Sequence, residues 1–112
     1  MINTVTKLFV IIMFLIPAYA AETWHTSKIK NVYVVNNGNV ILIFENDHPS
    51  CKNANKPQYF TIAKDINFVT EAGLQRMYSA ALTAAAAGKH VVINFESEST
   101  DCPINRLSVK FD

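Results

Sequence analysis

Three histidines, nine acidic side chains and two cysteines are the groups in this 112-residue sequence most able to do chemistry. His48 stands in Asp47-His48-Pro49-Ser50-Cys51, which gathers an acid, an imidazole, a hydroxyl and a thiol. Neighbours in an extended loop project in different directions, and a Ser-His-Asp relay is defined by geometry, not by adjacency. A solvated polar loop is expected there. His90 opens an apolar run and reads as structural, and His25, beside Trp24, is expected in an unanchored N-terminal stretch. Glu96, Glu98 and Asp101 cluster, but without the spaced oxygen ligands and turn glycine of a calcium loop. There is no phosphate-binding loop, dinucleotide fingerprint or HExxH motif. The sequence thus predicts a non-enzyme, with no catalytic residue, cofactor or metal site.

The two cysteines need a compartment before they can be read. Lys7 is followed by the apolar run Leu8 to Ile16, the breaker Pro17 and the small residues Ala18 and Ala20. That order is a secretory signal cleaved after Ala20, so residues 1–20 are expected to be a signal peptide and residues 21–112 a single domain. The apolar run is far shorter than the roughly 20 residues that span a bilayer, so no membrane span is expected after its removal. Two thiols in an exported chain are read first as a disulfide, Cys51 to Cys102, worth roughly 4 kcal/mol by chain-entropy reasoning. The expected location is periplasmic or secreted.

Export also changes the charge. Ten basic and nine acidic residues give +1 overall, and Lys7 leaves with the signal. A neutral domain lacks the basic footprint of a nucleic-acid binder, so no nucleic-acid partner is expected.

The elements that must position any site follow from patterning. Lys28 to Asn36 and Val40 to Glu45 are rich in β-branched and aromatic residues, and Asn37-Gly38 between them predicts a type I′ hairpin turn. Asn46 to Pro57 is polar and aperiodic, a long loop pinned at Cys51. Gln58 to Ala63 reads as a third strand. Leu74, Met77, Tyr78, Ala81, Leu82 and Ala85 form one helical stripe, with Thr70 as N-cap, Glu71 in the first turn and Gly88 as terminator. His90 to Phe95 and Ile104 to Phe111 are the last two strands. The order β-β-β-α-β-β is that of the OB-fold: α+β, mainly β, a five-stranded barrel here closed by one disulfide. A helix on an open antiparallel sheet or a cystatin-like arrangement are the other architectures compatible with these elements. Leu74, Met77, Tyr78 and Leu82 are expected in the core with Val34, Leu42, Ile62 and Val91.

An exported domain of this order and size resembles the B subunits of multimeric bacterial toxins, and the segment Leu74 to Phe95 is most similar to the helix and strand of subtilase-type B subunits, more distantly to the cholera type. The resemblance implies a non-enzymatic, glycan-binding module that assembles into a ring. No sugar-binding motif of that family can be laid onto this sequence residue by residue. From the residues themselves, Asn46, Asp47, Asn53, Asn55 and Lys56 supply amide, acid and ammonium groups suited to sugar hydroxyls, with Trp24 or Tyr59 available to stack on a pyranose. Ala80, Thr83, Ala84 and Ala87 lie opposite the apolar stripe with no charge between Arg76 and Lys89, a face suited to helix–helix contact in a homo-oligomer. Two function classes follow: a secreted binding module for a glycan or protein receptor, and a monomeric periplasmic accessory or structural protein.

Overall fold

A computed structural model describes residues 21–111. The expected signal peptide lies outside the described residues. Five strands, β1 (Glu22–Val34), β2 (Val40–Phe44), β3 (Phe60–Ile62), β4 (His90–Glu96) and β5 (Ile104–Val109), and one helix, α1 (Glu71–Ala87), follow in the order β1-β2-β3-α1-β4-β5. The strands pair as β3-β2-β1-β4-β5, every pair antiparallel. This is the strand order of an OB-fold, with β3 and β5 at the two edges. In place of a continuous ladder between those edges, the Thr61 amide of β3 donates to the carbonyl of Asp101, in the turn before β5, at 3.2 Å.

β1 makes this curvature possible. Its first half, Glu22 to Lys28, pairs with β4, and its second half, Ile29 to Val34, pairs with β2. A register shift between Ile29 and Asn31 separates the halves. The extra residue of such a bulge bends a strand and steepens its twist, which turns one long strand from one half of the barrel into the other.

The start of β1 at Glu22 corrects the expectation of a loose N-terminus. His25 and Ser27 face inward and are buried, and Trp24 faces out. The turn after β1 is also corrected. Val35 and Gly38 close a β-turn, Gly38 N to Val35 O at 2.9 Å, and Val35 N donates to Asn39 O. Gly38 has φ 90°, while neither Asn36 nor Asn37 has positive φ. The connection is therefore a three-residue loop with a left-handed glycine, not a two-residue type I′ turn, which needs two positive φ values.

Helix α1 starts and stops where its caps predict. The Thr70 hydroxyl accepts from the Gly73 amide at 3.0 Å, and Gly88 ends the helix with φ 65°. The core gathers Val40, Leu42 and Phe44 of β2, Phe60 and Ile62 of β3, Val91, Ile93 and Phe95 of β4, Ile104 of β5, and Leu74, Ala81 and Ala84 of α1. Met77 and Tyr78 pack against its rim. Leu42, Ile62 and Val91 are core residues as expected. Leu82 and Val34 are not, at 41% and 58% exposure. Val34 is the last residue of β1, paired only with β2 beside the turn, so nothing covers it. Leu82 and Ala84 have exchanged roles: Ala84 is fully buried. At about 100° per residue the two lie roughly 80° to either side of Leu74, and the helix is rolled toward the Ala84 side.

Candidate binding site

The long loop after β2 is exposed along most of its length and anchored at Cys51, as expected. The Cys51–Cys102 disulfide, with Cα atoms 5.7 Å apart, ties it to the turn before β5. Gln58 is buried and holds the loop from beneath: its Nε2 donates to the Cys51 carbonyl at 3.0 Å, and its Oε1 accepts from the His48 amide at 2.8 Å. The Lys56–Pro57 peptide is cis.

His48 folds under this loop, its ring against those of His25 and Phe95 with centroids 5.2 Å away in each case. His25 stacks on Phe60 at 5.7 Å and meets Phe44 edge-on. Its Nε2 donates to the Asn46 carbonyl, 2.8 Å away, because a carbonyl can only accept. Burial pushes the His25 imidazole below its ordinary pKa, against the hydrogen bond to Asn46, which raises it. His48 contributes a further lowering and Asp47 a further raising. The two imidazoles are thus part of an aromatic cluster capping one end of the barrel.

No Ser-His-Asp relay exists here. His48 Nδ1 accepts from the Ser50 backbone amide, Asp47 Oδ1 accepts from the Gln58 amide, and Cys51 is bonded to Cys102. Among the described residues, no group of three or more His, Cys, Asp and Glu side chains is placed to hold a metal ion, and no helix is long and apolar enough to cross a membrane.

Of the residues singled out as sugar ligands, Asp47 and Asn53 accept hydrogen bonds within the loop through side-chain oxygens, while Asn46 and Asn55 take part through backbone atoms. Asp47 Oδ2 faces Lys56 Nζ at 3.6 Å. Asn53 Oδ1 accepts from the Asn55 amide at 2.8 Å, and the Asn46 carbonyl is taken by His25. Tyr59 is half-buried and tilts against Tyr33 at 6.2 Å, beside an open apolar hollow of about 280 Å³ formed with Val34, Val35 and Ile41. Trp24 does not join the loop residues through its inner neighbour His25; it lies on the opposite face of β1. Of the helix residues proposed for an interface, Ala84 is in the core, Ala80 is half-buried, and Thr83 and Ala87 are exposed.

The connection from β3 to α1 carries a feature the sequence did not point to. Asp65, Asn67 and Phe68 all have left-handed φ, 66°, 54° and 65°. For an ordinary side chain that conformation costs about 1–2 kcal/mol. It is held by Asp65 N to Val69 O at 2.8 Å and by Asn67 Nδ2 to Pro103 O at 2.9 Å. The result stands Phe68 off the surface at 97% exposure, with Ile66 half exposed nearby, beside an open hollow of about 470 Å³. An isolated Phe between two elements carries no periodic signal, so only the backbone geometry reveals it.

Neither a protein-family model nor a curated protein matches the sequence. Solved structures do match the fold. Human heat-labile enterotoxin in complex with a blood group A antigen analog superposes with a TM-score of 0.60 at 13% identity, over 82% of this chain and 88% of that one. The B subunit of human heat-labile enterotoxin from E. coli, carrying a peptide with anti-HSV activity, superposes with a TM-score of 0.59 at 14% identity, over 82% and 84%. The chain therefore resembles, in fold, the B subunit of a bacterial enterotoxin.

Proposed function

We propose that the chain is an exported, non-enzymatic binding module that recognises a glycan. The observation carrying this reading is the fold match over 82% of the chain to an enterotoxin solved with a blood group A antigen analog. The Cys51–Cys102 disulfide between two loops supports the compartment: disulfides persist in oxidising, extracytoplasmic surroundings. Binding of the purified mature protein to an array of immobilised glycans tests the reading. Saturable capture of a defined glycan is expected, and a blank array with folded protein would count decisively against it.

Self-association belongs to the same reading. Leu82, Thr83, Ala86 and Ala87 leave an exposed, uncharged surface on α1, and small residues allow close approach of a second helix. The monomeric accessory protein is the reading that survives if light scattering finds a single chain at high concentration.

A further inference from the structure

The outer face of the β1–β4–β5 half of the barrel carries three unlike residues in one cross-strand row. Trp24 lies directly opposite Asn94, and Asn94 directly opposite Arg106. Directly opposed residues project to one face with Cβ atoms about 5 Å apart. That face is the outer one, since the alternate residues Ile93 and Phe95 of β4 are in the core.

Asn94 is unusual. It is 0% exposed, yet neither its Nδ2 nor its Oδ1 has a hydrogen-bond partner. Buried polar groups are almost always paired, and one left unpaired bears its full desolvation cost. Here a donor and an acceptor on the same amide are both unused. Beside it, Trp24 is 54% exposed. Arg106 is exposed, and its guanidinium has no ion pair or hydrogen bond among the described residues. A flat apolar ring, a paired donor and acceptor, and a multivalent donor thus share one row.

The neighbouring rows indicate which charge the site accepts. Glu22 and Glu96 are opposed on one side, while Lys28 and His90 lie beyond Thr26 and Val92 on the other. The acids Glu22 and Glu96 are offset by the cations Lys28 and Arg106, so neither sign of charge dominates around the row, and it suits an uncharged ligand.

We propose that the Trp24–Asn94–Arg106 row is a saccharide site for a neutral pyranose, an inference that rests on the glycan reading above. The C–H face of the sugar stacks on the Trp24 indole. The Asn94 amide donates to one hydroxyl and accepts from the vicinal one, and Arg106 donates to a further oxygen. Trp24 and Arg106 are long exposed side chains that part to admit the ring, and binding satisfies the amide that folding leaves unpaired.

Trp24 is the only tryptophan in the chain, so its fluorescence reports on this row directly. Titration of the folded protein with the methyl pyranosides of galactose, glucose and N-acetylgalactosamine should give a saturable emission change for at least one. Asn94→Leu should weaken that response at least about tenfold, equivalent to losing one good hydrogen-bonding group, while its Tm stays level or rises, because an apolar isostere removes the unpaired amide. Arg106→Gln, an exposed change that leaves the fold alone, should also weaken it. If the wild-type protein captures a glycan on the array but its tryptophan emission never moves, the site is wrong and the glycan function stands. A blank array overturns both. A response to glucuronate but not to the neutral glycosides refutes the neutral-ligand assignment, and a fall in Tm for Asn94→Leu refutes the unpaired amide on which the site is built.

Discussion

Removing the disulfide is the perturbation whose magnitude the structure fixes best. Cys51 and Cys102 are 51 residues apart in sequence, and closing a loop of that length restricts the unfolded chain by about 4 kcal/mol at 25 °C. Both residues are buried, so the double variant Cys51→Ala/Cys102→Ala adds no polar group to the core. Weaker links run beside the disulfide. The Lys52–Glu98 ion pair, 2.7 Å long, crosses the same gap, but both side chains are well exposed and such pairs contribute little. The Thr61 to Asp101 hydrogen bond is a single backbone bridge. Small domains have about 5–15 kcal/mol in total, so the loss leaves a marginal protein. With a urea m-value of about 1.2 kcal/mol/M for a domain of this size, the midpoint should fall by about 3 M. Urea titration followed by circular dichroism, on the variant and on the reduced wild-type protein, measures this directly. A fall of less than about 1 M in both would refute the reasoning, since it would mean that the unfolded chain gains little freedom from the broken link.

Ala84→Glu forces a carboxylate into a fully buried position at a cost of several kcal/mol for the unpaired charge and about 1–3 kcal/mol for overpacking; loss of the native circular dichroism spectrum is expected. Leu82→Glu, on the exposed side of the same helix, should leave that spectrum intact and change only the mass seen by light scattering, if α1 is the self-association surface. Because burial lowers the His25 pKa below its ordinary 6.5, the unfolded chain takes up the proton first; stability should therefore decline as pH falls through 6.5 and level off below the folded-state value. His25→Phe should flatten that decline, and a wild-type urea midpoint that is constant between about pH 7.5 and 5.5, above the carboxylate range, would contradict it. Gly88→Ala should cost about 1–2 kcal/mol in the same assay, because its φ of 65° disfavours a Cβ although no neighbouring atom would touch one. Intact-mass measurement of the exported protein should begin at Ala21.

The helix, its two caps, the five-strand order and the disulfide were legible in the sequence because each depends on local chemistry. Thr70 caps and Gly88 terminates wherever the helix lies, and two cysteines have one possible intrachain pairing. Alternation was legible only where the inward residues are apolar. The first half of β1 was missed because its inward positions are His25 and Ser27, polar residues made buriable by the Asn46 carbonyl, the Phe60 ring and the loop above them. The roll of α1 was equally hidden, since Leu82 and Ala84 flank the stripe symmetrically and only the barrel decides which side is covered. Candidate site residues suffered most. Asp47 and Asn53 each spend a side-chain oxygen on the loop's own backbone, while Asn46 and Asn55 enter its hydrogen bonds through backbone atoms, a division that composition does not reveal. Asn94 looked like one residue of a strand until pairing set Trp24 on one side of it and Arg106 on the other. Composition and spacing determine which elements form; which polar groups remain unused, and which of them meet, depends on register and long-range packing that no local stretch of the chain contains.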